Sequence, residues 1–247
     1  MEVSIQGAPI LVEIPAFGGI PITASLVVTW AIMAILLVLC LWLTHDLKVT
    51  NITKRQAVAE FLVSTAEKFV IGNMGEKFKG YIPFVAAIFS LSLLSSLSSL
   101  VGCFAPTADL NTVLSWAVVV FILITYTKIK TNGVLGYLKG YTEPIAVLTP
   151  FNILGELATP VSMGFRHFGN IVSGMVITTL IYAALTVANQ ALFGLIPGVV
   201  GDFLGAIPFL TVGVPAFLSL YFDWFSSAMQ AFIFCMLTTL YIAAAAE

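Results

Sequence analysis

Gly164-Phe165-Arg166-His167-Phe168-Gly169-Asn170-Ile171-Val172-Ser173-Gly174 places an arginine inside an apolar segment that runs from about Pro150 to Gln190. A guanidinium is never deprotonated in a protein. At 1.5 Å per residue, Arg166 lies roughly 20 Å from the start of that segment, too deep to snorkel easily to the entering surface. Even on the lenient insertion scale such a charge costs about 3 kcal/mol at mid-membrane. Counted by threes and fours, Thr159, Ser162, Arg166, Asn170 and Ser173 share one helical face. Gly164, Gly169 and Gly174 leave bare backbone that a second helix can approach. Two readings fit Arg166: a structural cation paired inside a helical bundle, or a functional charge on a wet path. The rarity of intramembrane charge favours the second.

Composition sets the class. The chain is 60% hydrophobic and 9% charged with a mean hydropathy of +1.06, whereas soluble domains carry about 25% charged residues. It is therefore expected to be an all-α, polytopic membrane protein of a single domain, residues 1–247. Cys40, Cys103 and Cys235 are far apart, match no metal or disulfide pattern, and read as small core residues. Neither a metal nor a cofactor is called for, and no phosphate-binding Gly-rich loop followed by Lys and Ser or Thr is present.

Five spanning helices are predicted, at 22–43, 84–103, 110–129, 150–190 and 208–246. Residues 1–21 hold Glu2, Glu13 and three prolines without a basic residue, and read as an exposed outer leader that stays attached. Between 48 and 81 an amphipathic pattern sets Val58, Phe61, Leu62, Thr65 and Phe69 against Lys54, Arg55, Glu60, Glu67 and Lys68. It reads equally as a helix in the membrane interface and as an extramembrane helix packed on the protein.

Six serines between Ser90 and Ser99 are expected to serve close helix packing and back-bonding rather than a solute path. Asp109 reads as a helix N-cap. The third span closes at Lys128 and Lys130, and a Gly- and Tyr-containing loop, 131–149, leads on to the arginine helix. Glu156 stands near the start of that helix, with Pro160 between it and Arg166. The final segment is longer than a perpendicular crossing needs, so it is tilted, broken at Pro215 or wrapped along something. Its polar face carries Asp223, Ser226 or Ser227, and Gln230. Asp223 reads as an intramembrane functional carboxylate, or as a surface residue if the helix begins later.

Apart from Arg166, every Lys and Arg falls within Lys48–Lys79 or Lys128–Lys139. Five spans put both connections on one side, which the positive-inside rule makes cytoplasmic. The N-terminus is then outside and the C-terminus inside.

Pro106-Thr107-Ala108-Asp109-Leu110-Asn111-Thr112, Gly155-Glu156, Pro160-Val161-Ser162, Phe165-Arg166-His167-Phe168-Gly169-Asn170 and Met229-Gln230-Ala231-Phe232-Ile233-Phe234, in this order, closely resemble subunit a of the F-type ATP synthase. The resemblance covers nearly the whole chain. It implies the stator of a rotary motor, with the last two helices long and tilted against a ring of c subunits. Two aqueous half-channels, one to each side, carry H+ or Na+ to and from carboxylates on that ring. Further implied partners are the b subunits of the peripheral stalk, the rest of the F1Fo complex and membrane lipid. Nucleic acid is not among them. The chain itself is then no enzyme, because ATP is made on partner subunits.

By the same resemblance Arg166 meets the ring carboxylate. A fixed cation favours the ionised form of a passing carboxyl, and it repels an ion trying to cross alone. Asn170 and Gln230 match outer half-channel residues, Asp223 a titratable position of that channel, and Glu156 an acidic position on the inner path. Ser162 and Ser173 extend the polar face. Two departures stand out: Met175, where an ionisable residue is frequent, and His167, where an apolar one is usual. Asp223 is then the main outer relay unless His167 shares the task, and His167 otherwise packs as a neutral residue. The absence of a transit-like leader points to a bacterial plasma membrane, though an organelle-encoded copy needs none either.

Two other classes were weighed. A stand-alone ion-coupled secondary transporter would have related halves, which the arginine and glutamine helices do not show. A non-conducting scaffold would gain nothing from polar stripes on two helices.

Overall fold

In a computed structural model the described residues are 7–15, 19–143, 145–193, 218 and 220–246. The chain is helical, with five helices long and apolar enough to cross a membrane. The predicted leader contains a β-hairpin, β1 (Ile10–Ile14) antiparallel to β2 (Ile20–Thr23), with Glu13 opposite Pro21 and a bulge near Ile10. Ile10, Leu11 and Val12 on β1 are more than half exposed.

Helix α1 (Ala24–Thr44) buries only Ser25 and Ile32. Its 21 residues span about 32 Å, the thickness of a bilayer core, so the rest of its apolar surface suits lipid. Ser25 Oγ donates to Asp109 Oδ2, 2.5 Å away. The Oδ1 of Asp109 accepts from the Asn111 N–H at 3.0 Å, which makes Asp109 the N-cap expected for α4 (Leu110–Gly140). One carboxylate thus starts a helix and ties α1 to the loop before it.

The amphipathic segment forms helix α2 (Lys54–Met74). At its C-terminal end Val70 and Met74 are buried and Phe69 meets Phe232 at 5.6 Å, so this half packs on the protein. In its first half Val58, Phe61, Leu62 and Val63 stay more than half exposed. Helix α3 (Ile82–Leu97) continues as a 3-10 turn to Val101. Ser90, Ser98 and Ser99 back-bond to carbonyls three or four residues earlier, while Ser92, Ser95 and Ser96 are buried.

Helix α4 does not close at Lys128 and Lys130. It runs on to Gly140 with one break at Gly133, whose φ of 71° is left-handed. Lysine favours helix, so the two charges end the apolar run and not the helix; Lys128 pairs with Glu156 of the next helix, and Lys130 lies over the Tyr126 ring. Most of the expected 131–149 loop is therefore helix, followed by a short 3-10 turn over Ala146–Leu148. Helix α5 (Thr149–Phe193) is 45 residues, about 68 Å, and continues through Pro160. That is more than twice the hydrocarbon thickness, so it cannot stand upright in a bilayer.

A π-helical turn (Leu220–Phe225) leads into α6 (Ser226–Ala244). The start of the predicted 208–246 span, with Pro215, and also Asp202, lie outside the described residues. Packing joins α4 to α5, α3 to α6, α2 to α6 and α5 to α6 around a core that includes Val70, Phe78, Val85, Val120, Ile124, Met163, Phe234 and Ile242. Of the three cysteines only Cys235 is buried; Cys40 and Cys103 are exposed. The correction has a simple cause: beside lipid an apolar neighbourhood does not imply burial.

At Gly164 α5 comes close to α4, where a Cβ would come within 2.8 Å of Leu114 Cδ2. Because that atom ends a flexible side chain, Gly164→Ala is expected to cost about 1 kcal/mol and Gly164→Val about 3 kcal/mol. Thermal unfolding of the purified subunit should show midpoints falling in that order; equal midpoints would contradict the packing.

Candidate functional site

The rotation of α5 about its axis is fixed by what it buries. Met163, Gly164, His167 and Ile171 recur at spacings of one, three and four and face the bundle. The opposite side carries Ser162, Arg166, Asn170 and Ser173, all exposed, with Thr159 half-buried at its edge. The sequence stripe is thus one continuous outer surface. Among the described residues Arg166 has neither an ion pair nor a hydrogen-bond partner. Its charge is presented sideways, away from its own bundle.

His167 adjoins Arg166 in sequence but turns about 100° away. It is 1% exposed. Its ring stands perpendicular to Trp116 at 6.1 Å and to Phe234 at 5.7 Å, with Ser92 Oγ 3.4 Å from Nε2. Four helices, α3, α4, α5 and α6, meet on this one imidazole. The structure therefore sets it behind the stripe rather than in it.

Two cavities flank Arg166 along α5. One, of about 20 Å³, touches Ser96, Ser99, Ala105, Gly174, Met175 and Ser227, near the end of the bundle that holds Asp109. A site needs roughly 10–15 Å³ to hold a water. The other, of about 310 Å³, touches Lys128, Glu156, Thr159, Tyr241 and Ala245 at the opposite end. Thr159 precedes Arg166 by seven residues and Ile171, which also lines the smaller cavity, follows it by five, so the cavities begin about 10 and 8 Å away along the axis in opposite directions.

In the larger cavity Glu156 Oε1 accepts from Lys128 Nζ at 3.1 Å and from Tyr137 OH at 3.2 Å. Tyr137 OH also meets Tyr141 OH. Burial above all, then contact with Glu156 and Tyr137, push the Tyr141 phenol well above its usual range, so it stays a neutral donor. Gln230 is buried on α6, and the backbone of Asp223 lies in the π-helical turn seven residues earlier. Sequence reasoning passed over Lys128, Tyr137, Ser96 and Ser99 as site residues. A lysine one turn from the end of an apolar run reads as an orientation marker, and serines in a close-packed helix read as packing.

Residues 26–243 match the family described as ATP synthase A chain. The chain belongs to that family. Similar relatives include an ATP synthase subunit a 3 of Pelobacter propionicus, 36% identical over 89% of this chain and 86% of the relative. An ATP synthase subunit a 1 of Chlorobaculum parvum is 33% identical over 92% and 90%. A third, from Propionigenium modestum, is named as a sodium ion specific ATP synthase subunit a and is 30% identical over 91% and 74%. Membership in an ATP synthase subunit a family, with five apolar helices, makes this a multi-pass membrane subunit of that complex rather than a stand-alone transporter.

The facing of α5 is open to test. With Cys40, Cys103 and Cys235 replaced by serine, single cysteines at positions 162, 170 and 173 should react rapidly with maleimide in the detergent-purified subunit, and one at 167 should react at least tenfold more slowly, as expected for a closed site. Equal rates would mean that α5 is turned otherwise.

Proposed function

We propose that this chain is the stator subunit of a rotary ATP synthase, coupling the passage of H+ or Na+ across the membrane to rotation of a c-subunit ring. The observation that carries the reading is Arg166: a permanent cation, unpartnered among the described residues, on an outer face, with one small cavity bearing three serines toward one end of the bundle and a larger one bearing Lys128 and Glu156 toward the other.

An ion enters by the outer path along Asp223, Gln230, Asn170 and Ser173 and loads a ring carboxylate. After nearly a full turn it leaves by the inner path past Ser162 and Glu156. Between the paths Arg166 attracts the passing carboxylate in its ionised form, so the ion has been released before it meets the cation. The same charge repels an ion crossing directly, which forces transport through rotation. Each elementary charge falling through 100 mV supplies about 2.3 kcal/mol, so several must be summed per ATP.

Asp223 is the main outer relay in this scheme, and His167, enclosed by aromatic rings, is the next candidate. The ring's own ligands choose between H+ and Na+. The b subunits of the peripheral stalk hold the chain against rotation, and the nucleotide chemistry belongs to other subunits of F1Fo. The basic connections place the C-terminus in the cytoplasm and the N-terminus outside, in a bacterial plasma membrane.

ATP-driven acidification of inverted vesicles containing the full complex tests the reading. Arg166→Ala should abolish pumping while the ring stays assembled; normal pumping in that variant would sink the proposal. Asp223→Asn should slow pumping without stopping it, and an unchanged rate would move the relay to His167. Titrating Na+ with a protonophore present separates Na+ from H+ coupling.

A further inference from the structure

We infer that Lys128 is a positioning residue of the inner ion path, holding one oxygen of Glu156 against α4 so that the other faces the cavity as a hand-over ligand for the transported cation. The inference rests on the stator reading above. Both charges sit within one cavity of about 310 Å³, and they are unequally covered: the Glu156 side chain is 11% exposed and that of Lys128 34%. Lys128 Nζ and Tyr137 OH converge on the same atom, Oε1, at 3.1 and 3.2 Å. Neither of these two contacts uses Oε2, and Tyr141 is a third donor beside the same carboxylate. Two donors on one oxygen fix a carboxylate in direction as well as place, and a charge-assisted donor is the stronger of them.

The local fold is shaped for this. Lys128 precedes the left-handed break at Gly133 and Tyr137 follows it, so the two donors reach Glu156 from either side of a bend that a continuous helix would not make. Tyr137 is in turn held by Tyr141, at the foot of the bend.

The consequence is electrostatic. An unpaired carboxylate in a narrow wet cavity would hold an emerging cation tightly and delay its escape. With the Lys128 ammonium on Oε1 the pair is neutral overall, and Oε2 offers a weak, fixed contact that an ion can leave. Lys128 acts through Glu156 and need not touch the ion.

The test is a charge cycle in inverted vesicles containing the complete synthase, comparing wild type, Lys128→Met, Lys128→Arg, Glu156→Gln and the Lys128→Met/Glu156→Gln double variant. Coupled neighbours show interaction energies of order 1 kcal/mol or more, so Lys128→Met should slow ATP-driven pumping about threefold to tenfold. The double variant should be no slower than the slower single one, and Lys128→Arg should stay within about twofold of wild type. Multiplying losses in the double variant, or an unchanged rate in Lys128→Met, would overturn the inference. If Lys128→Met does not assemble, Lys128→Gln decides, since it keeps most of the side chain and loses the charge. A rate about threefold to tenfold below wild type supports the clamp, and a rate within about twofold overturns it. Arg166→Ala in the same vesicles keeps the two claims apart: pumping in that variant defeats the stator reading, whereas its loss together with independent Lys128 and Glu156 effects defeats only this one.

Discussion

A charge that cannot be discharged, set in a membrane, needs either an anion or water, and the rest of this architecture follows from where Arg166 finds them. Desolvating it against its own bundle would require a buried carboxylate partner, and such pairs rarely repay their desolvation. The chain takes the other course. Apolar and small residues on one side of α5 fix its rotation, and the arginine is left on the opposite side. Gly164 permits the close approach to Leu114, and His167 fills the slot between Trp116 and Phe234. Among the described residues no anion of the subunit meets it.

The length of α5 fits that requirement. At about 68 Å it is long enough to reach along a partner's surface as well as beside its own neighbours. Cavities lie toward either end of the bundle from Arg166 but not at it. Serines line part of the smaller, and a carboxylate held by two donors lines part of the larger.

Much of this was legible in the sequence because membrane solvation is unforgiving. Five apolar runs of spanning length gave the helices, and the spacing of Ser162, Arg166, Asn170 and Ser173 gave the exposed face. Asp109 as a cap followed from its place before an apolar run. What was not legible depends on contacts between distant segments. The continuation of α4 past Lys128 was hidden because the end of an apolar run marks where a span stops and not where its helix does. The hairpin over Ile10–Thr23 was masked by prolines that normally argue against strands. Cys40 and Cys103 were misplaced because apolar surroundings mean lipid as readily as core. For His167 the packing reading agrees with its burial, but the identity of its partners, Trp116, Phe234 and Ser92 on three other helices, had no local signal.

The most direct measurement is a disulfide cross-link. In a complex otherwise free of cysteine, one cysteine replaces Asn170, a turn beyond Arg166 on the exposed face, and another stands beside the ring carboxylate. Oxidation should join the two subunits in high yield and stop ATP-driven rotation, with reduction restoring it. A cysteine at position 167 should form no such bond. If position 170 fails to cross-link, or position 167 links as well, α5 does not offer its arginine face to the ring and the account is wrong.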